Sequence, residues 1–301
     1  MDGRTACTPS PPKPRSPLDG IGSSGSVGRR PLSDFETIRY VVRDGLATIT
    51  LARPDKRNAV NQAMFTELGD ATEAAAADSH VRAVLVAGEG PSFCAGIDLA
   101  LIGELAGLAS EASRNEGGFH SFVREAQRAF RSLARMPKPA VAAVQGHALG
   151  AGFQLALACD LRVASTDAKL GMLEPRYGLI PDLGGAHRLA RLVGPSRAKE
   201  LVWSTRIVEA EEGLRIGLVN RVIEPDELPS EAEALAREVT QHSPTAVALV
   251  KQLIEGAHET SFEDELEREA DAQTRAIQSA HHREAVAAFL EGRPPDYTGL
   301  S

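Results

Sequence analysis

Two glycine-rich segments carry the clearest chemical signal in the chain. The first is Gly88-Glu89-Gly90-Pro91-Ser92-Phe93-Cys94-Ala95-Gly96-Ile97-Asp98-Leu99, which follows a short apolar run and opens a helix. The second, Gly146-His147-Ala148-Leu149-Gly150-Ala151-Gly152, again stands between an apolar run and a helix. Backbone N–H groups at such strand-to-helix turns have no partner inside the helix and are directed at whatever sits there. Two such clusters facing one point form an oxyanion hole, whose donors need no reorganisation as charge develops on an oxygen. Either segment alone also reads as a tight turn that simply needs glycine. Neither matches G-x-G-x-x-G or a P-loop, so phosphate binding of those kinds is not indicated.

Other chemically capable residues give weaker signals. Cys94 and Cys159 have no histidine at a suggestive spacing and read as small buried thiols. His147 abuts the second turn and reads as a hydrogen-bonded structural residue. His281-His282 lacks carboxylates arranged for a metal, so no metal site is expected. Trp203 and Phe153 read as core.

The elements that must position the turns follow from hydrophobic period and turn chemistry. Ile38 to Val42 and Ala47 to Leu51 alternate around Asp44-Gly45, which predicts a hairpin. Asn61 predicts the cap of a helix through Met64, Leu68 and Ala71 to about Ala77. Val81 to Ala87 and Pro139 to Val144 are wholly apolar and read as buried strands. Helical stretches lie between Gly96 and Met136, and Gly150 to Cys159 reads as a helix. Leu161 to Ala164 and Lys169 to Met172 are further short strands. Alternating strands and helices predict an α/β core over residues 34–225. From residue 226 to 301 the character changes to four amphipathic helices, Leu228 to His242, Thr245 to His258, Phe262 to Ile277 and His282 to Leu290.

Residues 1–33 stand apart, mixing Pro9, Pro11, Pro12, Pro14, Pro17 and Pro31 with Ser and Gly. A segment so poor in apolar residues cannot offset its ordering entropy and reads as a disordered tail. It has no secretory h-region, and although Arg4, Arg15, Arg29 and Arg30 suit a transit peptide, Pro and Gly break any amphipathic helix, which favours a plain tail. The formal net charge of -8 over 301 residues argues against a nucleic-acid surface. Three cysteines without a C-x-x-C pair fit a reducing cytoplasm, and no apolar run is long enough to span a bilayer.

Four ordered segments resemble the signatures of the crotonase (enoyl-CoA hydratase/isomerase) superfamily. They are Arg53-Pro54-Asp55-Lys56-Arg57-Asn58-Ala59; Phe93 to Leu99; Ala148 to Gly152 with Cys159-Asp160 behind it; and Glu174 followed by Gly178-Leu179-Ile180-Pro181-Asp182-Leu183-Gly184-Gly185. The resemblance runs over roughly residues 35 to 300. It implies a spiral of ββα units, with a C-terminal helical region that helps build a homotrimer or a dimer of trimers. It implies an acyl-CoA substrate, with coenzyme A as part of the substrate and no separate cofactor. By position, Ile97 and Ala151 supply the oxyanion-hole amides, and Arg57, Ala59 and Ala95 fall at the adenine and phosphate end of CoA. Asp98, Gly150 and Gln154 fall among the substrate-binding positions. Phe289 matches an aromatic that in relatives reaches a neighbouring subunit's ligand, and Arg293 lies one residue from a CoA-contacting lysine of some relatives, so Lys56, Arg57 and Arg293 are candidates for the phosphate contacts.

The chain departs from the hydratase pattern at Gln154. In hydratases of the family this position and that of Glu174 are both glutamates, because syn addition of water needs one group to take a proton and another to give one. Glutamine can hold a water but exchanges no proton. Glu174 stands between Leu173 and Pro175, apolar enough to raise its pKa toward general-base values. Asp182 stands where dienoyl-CoA isomerase-like members carry a second carboxylate; it reads equally as the N-cap of a helix entered at Leu183. Three functions are open: an enoyl-CoA or dienoyl-CoA isomerase, favoured; an enoyl-CoA hydratase; and a non-catalytic acyl-CoA binder. An RNA-binding role would need a basic stripe that is not present.

Overall fold

The computed structural model describes residues 34–112, 118–258 and 260–300; the expected tail over 1–33 lies outside them. The hairpin expected around Asp44-Gly45 forms from β1 (Ile38–Arg43) and β2 (Leu46–Leu51), with Asp44 and Gly45 both at positive φ, as the tightest two-residue turn requires. Asn61 caps α1 (Gln62–Ala77) through its side chain, which accepts from the Met64 amide at 3.0 Å. The apolar runs become β3 (Ala83–Gly88) and β4 (Ala140–Val144) in the middle of a sheet. Between them lie α2 (Leu99–Ala112), α3 (Gly118–Ala126) and α4 (Arg128–Arg135).

The chain then shuttles between two sheets. It runs through β5 (His147–Leu149), α5 (Ala151–Ala158), β6 (Leu161–Ser165), β7 (Lys169–Gly171), α6 (Gly185–Val193), α7 (Pro195–Ser204), β8 (Val208–Glu209), α8 (Ala210–Arg215) and β9 (Arg221–Ile223). The larger sheet has six strands in the order β1-β2-β3-β4-β6-β9, and the smaller has three in the order β5-β7-β8. All pairs in the larger sheet beyond the hairpin are parallel. Thus β4, β5 and α5, then β6, β7 and α6, give one strand to each sheet followed by a helix: the ββα repeat of the crotonase-like α/β fold. β5 lies inside the glycine-rich segment that reads in sequence as a bare turn.

Four helices follow: α9 (Leu228–Thr240), α10 (Pro244–Gly256), α11 (Phe262–Gln278) and α12 (Ala280–Glu291). α9 lies on the face of the larger sheet, where Leu228, Ala232, Leu235 and Ala236 pack with Leu85, Val141 and Val163 in a second core. α10 is fastened by polar groups: Lys251 Nζ donates to Asp160 Oδ2 at 2.7 Å and to the carbonyls of Leu133 and Lys138 at 3.1 and 2.9 Å. Phe153 is buried, but Trp203 is 73% exposed at the end of α7, against the expectation that it is core: α7 buries Ala198 and Leu201, and Trp203 falls off that face. Among the described residues, no helix is long and apolar enough to cross a membrane.

Candidate active site

The two glycine-rich turns lock together edge to edge. Cys94 forms a parallel bridge with Ala148: its amide donates to the His147 carbonyl at 2.8 Å, and its carbonyl accepts from the Leu149 amide at 3.0 Å. Gly96 (φ 102°) then turns the first segment into the second, so closely that a Cβ there would lie 2.9 Å from the Leu149 carbonyl oxygen and 3.9 Å from the Ala151 nitrogen. Neighbouring amides are satisfied, Ala95 donating to Arg57 O at 2.9 Å and Asp98 to Val60 O at 2.9 Å. The amides of Ile97 and Ala151 donate to no group among the described residues. Ala151 is also the first residue of α5, where the helix dipole adds positive character. At the other end of α5, the fully buried Arg162 from β6 binds the carbonyls of Ala156 at 3.3 Å and Cys159 at 2.8 Å, which anchors the helix behind its donor end.

Both free amides open on a cleft of about 320 Å³, lined by Lys56, Ala59, Ala95, Asp98, Gly150 and Glu174 together with the apolar Leu99, Ile102, Leu173 and Leu179. Glu174 starts a short 3-10 turn (Glu174–Tyr177) and is 7% exposed. Its Oε1 accepts from Gln154 Nε2 at 2.7 Å, while Oε2 is buried without a hydrogen-bond partner. Burial pushes the Glu174 carboxyl above its ordinary range; the bond from Gln154 opposes this, and the charge of Asp182 adds to it. A carboxylate in that state beside two unengaged amides can accept a proton from carbon while the amides stabilise the enolate oxygen.

Gln154, read from sequence as able to hold a water but not to exchange a proton, is engaged at both ends: its Nε2 donates to Glu174, and its Oε1 accepts from the amides of Leu183 at 2.9 Å and Gly185 at 3.0 Å. Those bonds also correct the N-cap reading of Asp182. α6 begins at Gly185 with Gly184 as its cap, so the helix end is served by Gln154, and the Asp182 carbonyl instead accepts from Gln127 Nε2 at 2.6 Å. The Asp182 carboxyl is itself pushed up by burial; the residue is outside the cleft lining but near enough to Glu174 to be felt by it. Arg57 also lies outside the cleft, in an adjoining pocket with Ser92, His147 and Lys169.

Arg53 and Asn58 belong to a quoted motif but have roles that sequence reading did not assign. Arg53 binds the Ala59 carbonyl and Asp98 Oδ2, the latter at 2.8 Å, and holds the Asp98 carboxyl below its usual range. Asp98 is therefore tied to the wall it stands in. Asn58 is fully buried and bonds Arg53 N, Glu89 O and Ser92 O at 2.9, 2.9 and 2.8 Å. Cys94 and Cys159 are buried thiols pushed up to about 12 by desolvation, unsuited to nucleophilic work. His147 Nδ1 pairs with Ser92 Oγ at 3.1 Å. Among the described residues, no group of three or more His, Cys, Asp or Glu could hold a metal. Arg293 pairs with Glu284 and Glu291 at the end of α12.

A family model described as "Enoyl-CoA hydratase/isomerase" matches residues 42–300. The chain belongs to the enoyl-CoA hydratase/isomerase family. It is 35% identical over 264 residues to the crotonyl-CoA hydratase of Syntrophomonas wolfei, covering 87% of this chain and 98% of that one. It is also 35% identical over 266 residues to the 1,2-epoxyphenylacetyl-CoA isomerase of Escherichia coli, covering 88% and 99%. Among solved structures, a Thermobifida fusca protein in complex with acetoacetyl-CoA superposes with a TM-score of 0.75 at 34% identity, over 82% of this chain and 96% of that one. Hydratase names are the commoner ones among these relatives.

Proposed function

We propose that this member of the family binds an acyl-CoA thioester and moves a double bond within its acyl chain. The thioester oxygen lies between the amides of Ile97 and Ala151. Glu174 takes a proton from C2 of a 3-enoyl-CoA, and the electron pair moves into a dienolate whose oxygen the two amides stabilise. A proton delivered from Glu174 to C4 then gives the 2-enoyl-CoA, an isomer of the substrate with one proton removed and one returned. Asp182 is the second proton carrier for a longer, dienoyl chain. The observation that carries this reading is the pairing of one elevated carboxyl, Glu174, with a neutral amide, Gln154, that is bonded at both ends. The complex of the Thermobifida relative with acetoacetyl-CoA supports a CoA thioester as the ligand class.

Hydration of a 2-enoyl-CoA is the second reading, favoured by the names of most relatives. It requires Glu174 to activate the water and also deliver the proton. Glu174→Gln tests the role common to both readings. Turnover should fall by roughly two to four orders of magnitude while acyl-CoA binding, followed calorimetrically, stays nearly unchanged. Retained turnover would remove Glu174 from the reaction.

The assembly belongs to the same proposal. Phe262, Leu266, Ile277, Phe289 and Leu290 on α11 and α12 are exposed, the first at 73% and Phe289 at 85%. We take these as the surface that joins subunits into a homotrimer or a dimer of trimers. Sedimentation as a monomer at micromolar concentration would contradict that.

A further inference from the structure

We infer that Gln154 is a positioning residue for Glu174: from the N-terminus of α6 it dictates which oxygen of that carboxylate exchanges protons and keeps the group a usable base. Glu174 as proton carrier is presupposed. Gln154 is 1% exposed, on the first turn of α5. Its carbonyl oxygen takes two backbone amides, Leu183 and Gly185. Flipping the side-chain amide would set its NH₂ against both donors, so only one orientation is allowed. That orientation points Nε2 at Glu174, and Oε1 of Glu174 must accept from it at 2.7 Å. A proton arriving on Glu174 therefore resides on Oε2, the oxygen without a partner.

A glutamate at position 154 would behave differently. One of its oxygens would keep the Leu183 and Gly185 amides at the start of α6, a place that favours negative charge. Its other oxygen would stand near 2.7 Å from Glu174 Oε1, where two carboxylates do not both ionise. The charge would rest at the helix end and the proton on Glu174, which would then be no base at neutral pH. The other titratable groups around Glu174 are Asp182 from the loop before α6, Lys56 and Asp98 across the cleft, and Tyr177 one turn on; Arg176 is turned away to Thr205. Of these, Asp182 is the one whose charge is felt, and it is unchanged in the variants below.

The test is titration of the Glu174 carboxyl carbon by ¹³C NMR in the full-length protein, assigned by its absence in Glu174→Gln. In Gln154→Met, similar in size but without any of the three side-chain hydrogen bonds, the midpoint should rise by about one pH unit, the loss of the one hydrogen bond to the charged group. In Gln154→Glu, which keeps both amide contacts and so keeps the fold even if Gln154→Met does not, it should rise further. A midpoint in Gln154→Glu equal to that of the unmodified protein overturns the assignment. The titration needs no turnover, so it stands or falls separately from the reading of Glu174 as proton carrier, which Glu174→Gln kinetics decide.

Discussion

Gly152 lies against Cys94 so closely that a Cβ on the glycine would stand 2.7 Å from the Cys94 Cβ and 2.8 Å from its sulfur. This contact clamps the start of α5 beneath the bridge that joins the two glycine-rich turns. It fixes how far apart the Ile97 and Ala151 amides stand. Gly152→Ala must push α5 and the Cys94 segment apart. It should destabilise the fold by about 1–3 kcal/mol, as overpacking does, and lower kcat/KM beyond what the lost stability explains. Melting and steady-state kinetics check this; both unchanged would mean that the turns are not coupled there.

Because burial raises the Glu174 carboxyl, turnover should rise with pH through a midpoint above the ordinary carboxylate range. The linked effect on stability has the opposite sense. Below the ordinary carboxylate pKa, Glu174 is protonated both folded and unfolded, and it adds no charge-burial penalty. As pH rises toward the elevated folded value, the unfolded chain releases its proton first and stability falls. Glu174→Gln should therefore melt no lower than the unmodified protein at neutral pH. A markedly lower melting temperature would show that the ionised carboxylate stabilises the fold.

Asp182 is open to a clean separation, since it does not cap α6. Asp182→Asn should leave stability within about 0.5 kcal/mol and keep C2 proton exchange, while transfer across a dienoyl chain is lost. Deuterium incorporation at each carbon, read by NMR, measures this. A stability loss of about 1 kcal/mol with unaltered transfer would return the residue to a structural role.

Much of the fold was legible because it is written locally. Asp44-Gly45, the Asn61 cap and the apolar runs of β3 and β4 each announce themselves within a few residues. The two glycine-rich turns and Glu174 were legible too, through their motifs. What could not be read depends on pairs distant in sequence. Gln154 meets Leu183 and Gly185, Arg53 meets Asp98, and Arg162 closes the far end of α5. No periodicity encodes such contacts. β5 hides in a glycine-rich stretch because it is three residues long. Trp203 misled because a large apolar residue is only on average buried; helix phase decides the individual case.

Product mass tests the central claim most directly. The protein is incubated with 3-enoyl-CoA, 2-enoyl-CoA and dienoyl-CoA thioesters in D₂O, and products are weighed after return to light water. The expected result is products isobaric with substrate apart from carbon-bound deuterium, formed from the 3-enoyl or dienoyl thioesters. Rapid formation of water adducts from 2-enoyl-CoA, with no isomerisation of any substrate, would contradict the account: the family would stand, and the argument from Gln154 would not.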